Sequence, residues 1–289
     1  MLRDRGDRIP IDCHSAHMTP ITGHTRLLAI LADPVHHVQA PQLLNQLFQS
    51  RGDDAVMVPM HVRAEALAQV VRGLRAIGSF DGFIATVPHK TAMPALCDEL
   101  TPVAAQVGAV NVVRRTPDGR LIGGLLDGAG FVAGLQAHGI EPGGLRAYLA
   151  GAGGAGSAIA WALAGAGVKR LTIANRNADR ARHLIERLAS VHRTLELVLG
   201  DTDPAGHDLV VNGTSLGMRP EDPLPLDASR LRPEQIVAEI IMQPAETALM
   251  AAARARGCRV HAGLPMLTAQ IALMAAFLCG EANDAGVRA

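Results

Sequence analysis

At 289 residues and 48% hydrophobic content, the chain has room for two ordinary domains with their own cores, and it is neither a disordered nor a fibrous sequence. Its 27 basic and 27 acidic residues cancel, which leaves no electrostatic footprint for nucleic acid or an anionic membrane and favours a small-molecule partner. Aromatics make up only 2%, so the cores must be built from Ala, Leu, Val and Ile, which suits helices packed on a parallel sheet.

Residues 1–23 are polar and mixed in charge, lack the apolar stretch of a secretory signal, and read as a disordered extension, with Met18 as an alternative start. From there strands and helices alternate. Strands are expected at 27–31, 56–58 and 82–87, and helices at 41–49 and 64–76. The second helix carries Leu67, Val70, Val71 and Leu74 on one face, the stripe of a helix packed on a sheet. Residues 110–114 and 120–122 flank the turn sequence Pro117-Asp118-Gly119 and are expected to pair as a hairpin. Asp127 opens a helix over 129–137 that Gly139 stops, and 141–144 reads as a linker.

Residues 146–180 read strand, glycine turn, helix, strand. A short strand at 147–150 runs into Gly151, Gly153 and Gly156 at GxGxxG spacing, and an Ala-rich helix follows over 155–166. The first glycine turns the chain, the second lets backbone approach a pyrophosphate, and the third lets helix pack on strand. The helix N-terminus then offers free N–H groups to the anion. The next strand, 170–174, ends at Asn175-Arg176, where an NAD site usually places an acidic residue. Arg176 and Arg180 bring positive charge instead, which suits the 2′-phosphate of NADP; the alternative is a solvated basic helix start.

Further strands are expected at 195–199, 209–212, 237–242 and 259–261. Helices follow at 247–256 and 265–278, the last with Gln270 beside its packed stripe. Residues 149–168 are uncharged over twenty positions, but their glycine-rich start reads as a turn and a buried helix rather than a membrane span. Cys13, Cys97, Cys258 and Cys279 form no CxxC pair, which points to reduced thiols in a cytoplasm, and the dispersed histidines predict no metal site.

Only Lys90 and Lys169 are lysines, against twenty-five arginines. A lysine kept in such a chain is a modest clue to chemistry that a guanidinium, which keeps its proton, does not perform. Lys90 stands just past the end of a predicted strand, where open α/β sheets place their active sites. Asp127 lies at the expected domain junction. With an NADP site, this pair fits carbonyl reduction, in which a hydride donor needs a partner that protonates the developing alkoxide. The plainer alternatives are a surface charge for Lys90 and a helix N-cap for Asp127.

Seven blocks in order resemble the shikimate dehydrogenase family. Residues 86–90, TVPHK, resemble its NVTVPxK; 108–111, GAVN, its GAVNT; and Asp127-Gly128 the end of its GxNTDG. Residues 151–156 resemble its GAGGA loop, 175–180 its NRTxxRA, 212–218, NGTSLGM, its NATSxGM, and 263–270, GLPMLTAQ, its GxxMLxxQ.

The resemblance implies a two-domain α/β enzyme. Residues 24–127 with 264–289 would form the substrate domain, to which the last helix returns, and 128–263 a Rossmann-type NADP domain. It makes Lys90 and Asp127 the catalytic pair, and gives substrate hydroxyls to Thr86, Asn111 and Gln270. The cofactor falls to Gly151, Gly153, Gly154, Ala155, Asn175, Arg176, Arg180 and Thr214, with Met218 and Gly263 towards the nicotinamide. Shikimate and 3-dehydroshikimate are the first expected pair, quinate or another cyclic alcohol next. A non-catalytic NADP-binding sensor is the reading from another class, and a homodimer the assembly considered.

The sequence also departs from the family. GxPxxHSxSP stands here as residues 32–41, ADPVHHVQAP, so Val38 and Ala40 replace two serines expected at the substrate carboxylate. Met242 replaces a tyrosine of YDxxYxP, Ile84 the asparagine of NVTVP, and Leu125-Leu126 the Asn-Thr of GxNTDG. His37 and Gln39 are the candidates to take over the carboxylate.

Overall fold

The computed structural model describes residues 20–36 and 38–280. The expected extension up to residue 19, with Met18, lies outside the described residues, as do His37 and the end of the expected first-domain return, 281–289.

The chain first builds β1 (Arg26–Ala32), α1 (Ala40–Arg51), β2 (Ala55–His61), α2 (Leu67–Arg75) and β3 (Phe80–Ala85). It continues with β4 (Glu99–Leu100), α3 (Pro102–Val107), β5 (Val112–Arg115) and β6 (Leu121–Gly124). The six strands form a mixed sheet in the order β2-β1-β3-β5-β6-β4, with β5 and β6 paired antiparallel as the hairpin signal requires. Two elements here carry no periodicity to read, since β4 has two residues and α3 six. Their one signal is Thr101 followed by Pro102, and the Thr101 hydroxyl indeed accepts from Ala104 N to cap α3.

The second unit is β7 (Arg146–Ala150), α5 (Gly154–Gly165), β8 (Arg170–Ala174), α6 (Ala178–Val191), β9 (Glu196–Leu199), β10 (Leu209–Asn212), β11 (Ile236–Glu239), α7 (Ala248–Ala255) and β12 (Arg259–His261). Its sheet runs β12-β11-β10-β7-β8-β9 with every pair parallel. In chain order that is 3-2-1-4-5-6, the doubly wound Rossmann arrangement, which binds ligands where the order reverses, here between β7 and β10. Residues 149–168 are divided among β7, the glycine turn and α5, and no described helix is long and apolar enough to cross a membrane.

Two strands end earlier than expected, each for a local reason. β3 stops at Ala85 because the chain turns, His89 N–H donating to Thr86 O at 2.7 Å. β11 stops at Glu239 because the amides of Ile240 and Ile241 turn to its own carboxylate, at 2.8 and 3.1 Å. The Ala-rich helix starts one residue earlier than read, at Gly154.

Between the two sheets lies α4 (Asp127–Ala137), packed by α5 on one side and by α8 (Leu264–Cys279) on another. Its glycines make this close approach possible. A Cβ on Gly128 would stand 2.1 Å from Ala158 O, one on Gly130 2.8 Å from Gln270 Cβ, and one on Gly134 2.9 Å from Pro265 C. Beyond α4, the helix α8 returns to the first sheet, where Ile271, Met274, Phe277 and Leu278 share a core with Leu28, Ile30 and Leu44.

Candidate active site

Four residues far apart in sequence converge at the start of α4. The Asp127 carboxylate is buried and accepts three hydrogen bonds: from Lys90 Nζ at 2.6 Å, Asn111 Nδ2 at 2.9 Å and Gln270 Nε2 at 3.0 Å. A carboxylate only accepts, so both amides must turn their nitrogens to it.

Each partner is held by its own element. Lys90 sits in the turn after β3, and its carbonyl accepts from Val110 N at 2.9 Å. Asn111 is tied into the ladder beside β3 and β6, and its Oδ1 accepts from Leu126 N at 2.9 Å, which sets the chain entering α4. Gln270 reaches Asp127 from α8 across the Gly130 notch. Asp127 is not the N-cap, a position taken by Leu126 without a side-chain bond; it is the first residue of α4 and faces the cluster.

Burial pushes the Asp127 carboxyl up, but the Lys90 ammonium and the bonds from Lys90, Gln270 and Asn111 outweigh it and hold the group below the ordinary carboxylate range. Asp127 is therefore an anion at neutral pH, and Lys90, with only part of its side chain exposed, is its counter-ion. Thr86 lies four residues before Lys90, its backbone fixed by Leu31 O and His89 N; the geometry brings no bond from it to the quartet. His89, which the sequence reading missed, is buried with Nε2 2.8 Å from Val62 O and anchors this turn.

The phosphate loop follows β7. Gly151 has φ of +110°, a conformation that glycine tolerates, and a Cβ there would stand 2.8 Å from Gly213 O, across the switch point. Gly156 packs against Gly151 O, where a Cβ would stand at 2.3 Å. Above Gly153 and Gly154, by contrast, a Cβ would meet nothing within 4 Å, and both are exposed, so the α5 N-terminus is open to an anion. Ala155 follows in its first turn. Ala152 N–H donates to Asn175 Oδ1 at 3.0 Å, joining this loop to the end of β8. There Asn175, Arg176, Asn177, Asp179 and Arg180 line an open depression. These residues fit a dinucleotide with a 2′-phosphate: open backbone amides lie at the turn and two exposed guanidiniums beyond β8.

A third network was not legible. Buried Glu239 accepts from Asn212 Nδ2 at 3.1 and 3.0 Å and from Thr247 Oγ1 at 3.0 Å, besides the two amides after it. Burial raises its carboxyl above the usual range, although each of these bonds opposes that shift. Asn212 Oδ1 in turn accepts from Thr214 N and Oγ1, at 3.0 and 2.7 Å. Loops 213–218 and 240–247 are thereby locked together, with Met218 exposed at the rim and Gly263 pressed within 2.4 Å (for a Cβ) of Ile241 O. The available signal was a lone glutamate inside an apolar run, residues 236–242. Among the described residues, no group of three or more His, Cys, Asp or Glu side chains is placed to hold a metal ion.

A Rossmann sheet with an open glycine loop, a basic depression beyond its second strand and a lysine paired with a buried carboxylate on an adjoining α/β unit define a nicotinamide-dinucleotide dehydrogenase of two domains. The comparisons give the family. Residues 30–113 match the model described as Shikimate dehydrogenase substrate binding domain, and 138–215 that described as Shikimate / quinate 5-dehydrogenase. The chain is 44% identical over 233 residues to Shikimate dehydrogenase (NADP(+)) of Rubrobacter xylanophilus, covering 80% of this chain and 82% of that protein. Among solved structures it resembles shikimate 5-dehydrogenase from Listeria monocytogenes in complex with shikimate and NAD, with 33% identity, a TM-score of 0.83, and 91% and 94% of the two chains covered. It is also similar to the ligand-free 5-ketofructose reductase of a Gluconobacter strain, with 32% identity, a TM-score of 0.80, and 91% and 96% covered. The chain belongs to the shikimate dehydrogenase family.

Proposed function

We propose that the chain interconverts a secondary alcohol and its ketone with NADP, using Lys90 and Asp127 to move the oxygen-bound proton. The observation that carries this reading is the 2.6 Å contact of Lys90 Nζ with a buried carboxylate at the carboxyl ends of the first sheet's strands.

When bound, NADPH supplies the hydride, and with it both electrons, to the carbonyl carbon. The chain supplies the proton. Lys90 Nζ donates to the carbonyl oxygen as negative charge gathers there, and in the alcohol-oxidising direction the neutral amine takes the hydroxyl proton back. Asp127 keeps the amine in place through the 2.6 Å contact. Asn111 and Gln270 hold Asp127 and lie beside the same oxygen-binding region, so substrate hydroxyls are assigned to them and to Thr86. Gly151, Gly153, Gly154, Ala155, Asn175 and Thr214 are assigned to the dinucleotide, Arg176 and Arg180 to its 2′-phosphate, and Met218 and Gly263 to the nicotinamide end. Residues 24–127 with 264–289 serve as substrate domain and 128–263 as cofactor domain. The dispersed cysteines support a reducing, cytoplasmic setting.

The relatives' names fix the reaction more tightly than the substrate. Two are named for shikimate, a carboxylate, and one for 5-ketofructose, which carries no charge. Shikimate with 3-dehydroshikimate is the reference pair for assay.

The cofactor assignment is tested by steady-state kinetics with NADPH and NADH. Arg176→Ala/Arg180→Ala should raise KM for NADPH about 10- to 100-fold, the worth of one or two charge-assisted contacts, and leave KM for NADH nearly unchanged. Equal losses with both cofactors would remove the two arginines from the 2′-phosphate.

A further inference from the structure

What a substrate carries beyond its carbonyl is governed by the loops around Lys90. The loop after β1 begins directly beside it, Asp33 N–H donating to Val87 O at 3.1 Å. On this loop Val38 packs against the core shared by α1, α8 and the first sheet, and Ala40, which begins α1, is buried; neither side chain has a hydrogen to donate. The loop also carries the Asp33 carboxylate, 2.7 Å from Nε2 of His61.

The lysine at the site is already paired. Lys90 is matched by Asp127 at 2.6 Å. Beyond the Arg176 and Arg180 depression, the described segments that follow strand ends carry exposed arginines at Arg63 after the edge strand β2, at Arg120 after β5, and at Arg219, Arg230 and Arg232 after β10; Arg120 pairs with Glu99 and Arg230 with Asp203. The loops after β3, β10, β11 and β12 instead leave large apolar side chains open: Val87 is 62% exposed, Met218 58%, Met242 42% and Leu264 51%. The last three sit on loops in mutual contact, with a Gly217 Cβ position 3.3 Å from Ile241 and a Gly263 position 2.4 Å from its carbonyl.

A carboxylate seated among these loops would lose water and meet an acidic neighbour and methionine, with no donor on Val38 or Ala40 to replace that water; a buried charge so poorly matched is costly. Hydroxyl groups are suited to the same place. They donate to Asp127, exchange bonds with Asn111 and Gln270, and turn C–H faces to Met218, Met242 and Leu264. We infer that the substrate is an uncharged polyhydroxylated ketone and its alcohol, a ketose or a cyclic polyol without a carboxylate. This rests on the dehydrogenase reading above and deepens it. The reaction balances as ketone plus NADPH plus a proton giving alcohol plus NADP⁺, the proton entering through Lys90 Nζ.

The test is NADPH oxidation by the full chain with 5-keto-D-fructose and 2-keto-myo-inositol as uncharged probes and 3-dehydroshikimate as the carboxylate, with NADPH binding measured separately. The better uncharged probe should exceed 3-dehydroshikimate in kcat/KM by about 100-fold or more, the scale set by leaving one charge unpaired. Val38→Ser/Ala40→Ser, which adds two donors, should raise kcat/KM for 3-dehydroshikimate by roughly 10-fold or more. Turnover of 3-dehydroshikimate by the wild type equal to or above that of both uncharged probes overturns the inference and leaves the dehydrogenase reading standing. If NADPH binds and none of the three ketones is reduced, the dehydrogenase reading falls and the inference with it.

Discussion

Replacing Lys90 with methionine should lower kcat for ketone reduction by about 10²- to 10⁴-fold, the usual range for losing a positioned general acid, while NADPH binds as before. Methionine keeps most of the apolar stem and removes only the ammonium, so the turn after β3 retains its packing. Lys90→Arg should lose nearly as much, because a guanidinium keeps its proton. The variant also changes the electrostatics of Asp127. In the wild type its carboxyl is held below the ordinary value, so its stabilising contribution is complete above about pH 4, the unfolded value, and is lost as pH falls through the lower folded value. Without Lys90 the largest remaining influence is burial, which raises the group, and the sign reverses: stability then falls as pH rises through the new folded value. Thermal unfolding of Lys90→Met against pH, beside the kinetic loss, separates a missing proton donor from a misfolded site. Unchanged kcat would remove Lys90 from the chemistry.

Gly128→Ala should be the most damaging glycine-to-alanine change among the described residues. Its Cβ would lie 2.1 Å from the Ala158 carbonyl oxygen in α5, a backbone atom that no rotamer change can move aside. Relief requires α4 and α5 to separate, and α4 also carries Asp127 at its start and the Gly130 and Gly134 notches for α8. The expected cost is about 2–3 kcal/mol of overpacking, or roughly 4–12 °C in Tm for a chain of this size. Activity should fall further than stability alone explains, because Gln270 and the phosphate helix are displaced together. Gly73→Ala in α2 is the control: nothing lies within 4 Å of its Cβ position, and alanine is the better helix former, so Tm should hold or rise slightly. Equal Tm for the two variants would contradict the tight packing on α4.

The dinucleotide unit was legible because its chemistry is local. Gly151, Gly153 and Gly156 must each be glycine for a reason that spacing alone reveals, and β8, β10 and β12 occupy the residues read for them. The convergence on Asp127 was legible only in part. Lys90 stood out by composition, but that Asn111 and Gln270 donate to the same carboxylate oxygen depends on α8 crossing α4 at Gly130, a tertiary fact with no local signature. Glu239 was missed for the opposite reason. Its position among apolar residues predicts a strand running on to Met242, whereas its carboxylate captures the next two amides and ends β11. β4 and α3 are too short for any period, and α6, though capped by Asn177 through Asp179 N and Arg180 N, was noticed only as a basic helix start.

In the proposed mechanism Lys90 and Asp127 act as one proton-handling unit. A double-mutant cycle on kcat at saturating NADPH, comparing wild type, Lys90→Met, Asp127→Asn and the double variant, tests it most directly. If the pair is a unit, the double variant should be no slower than about the worse single variant, since the second change removes nothing that still works. Losses that multiply through the cycle would mean the two residues act independently and would contradict the account.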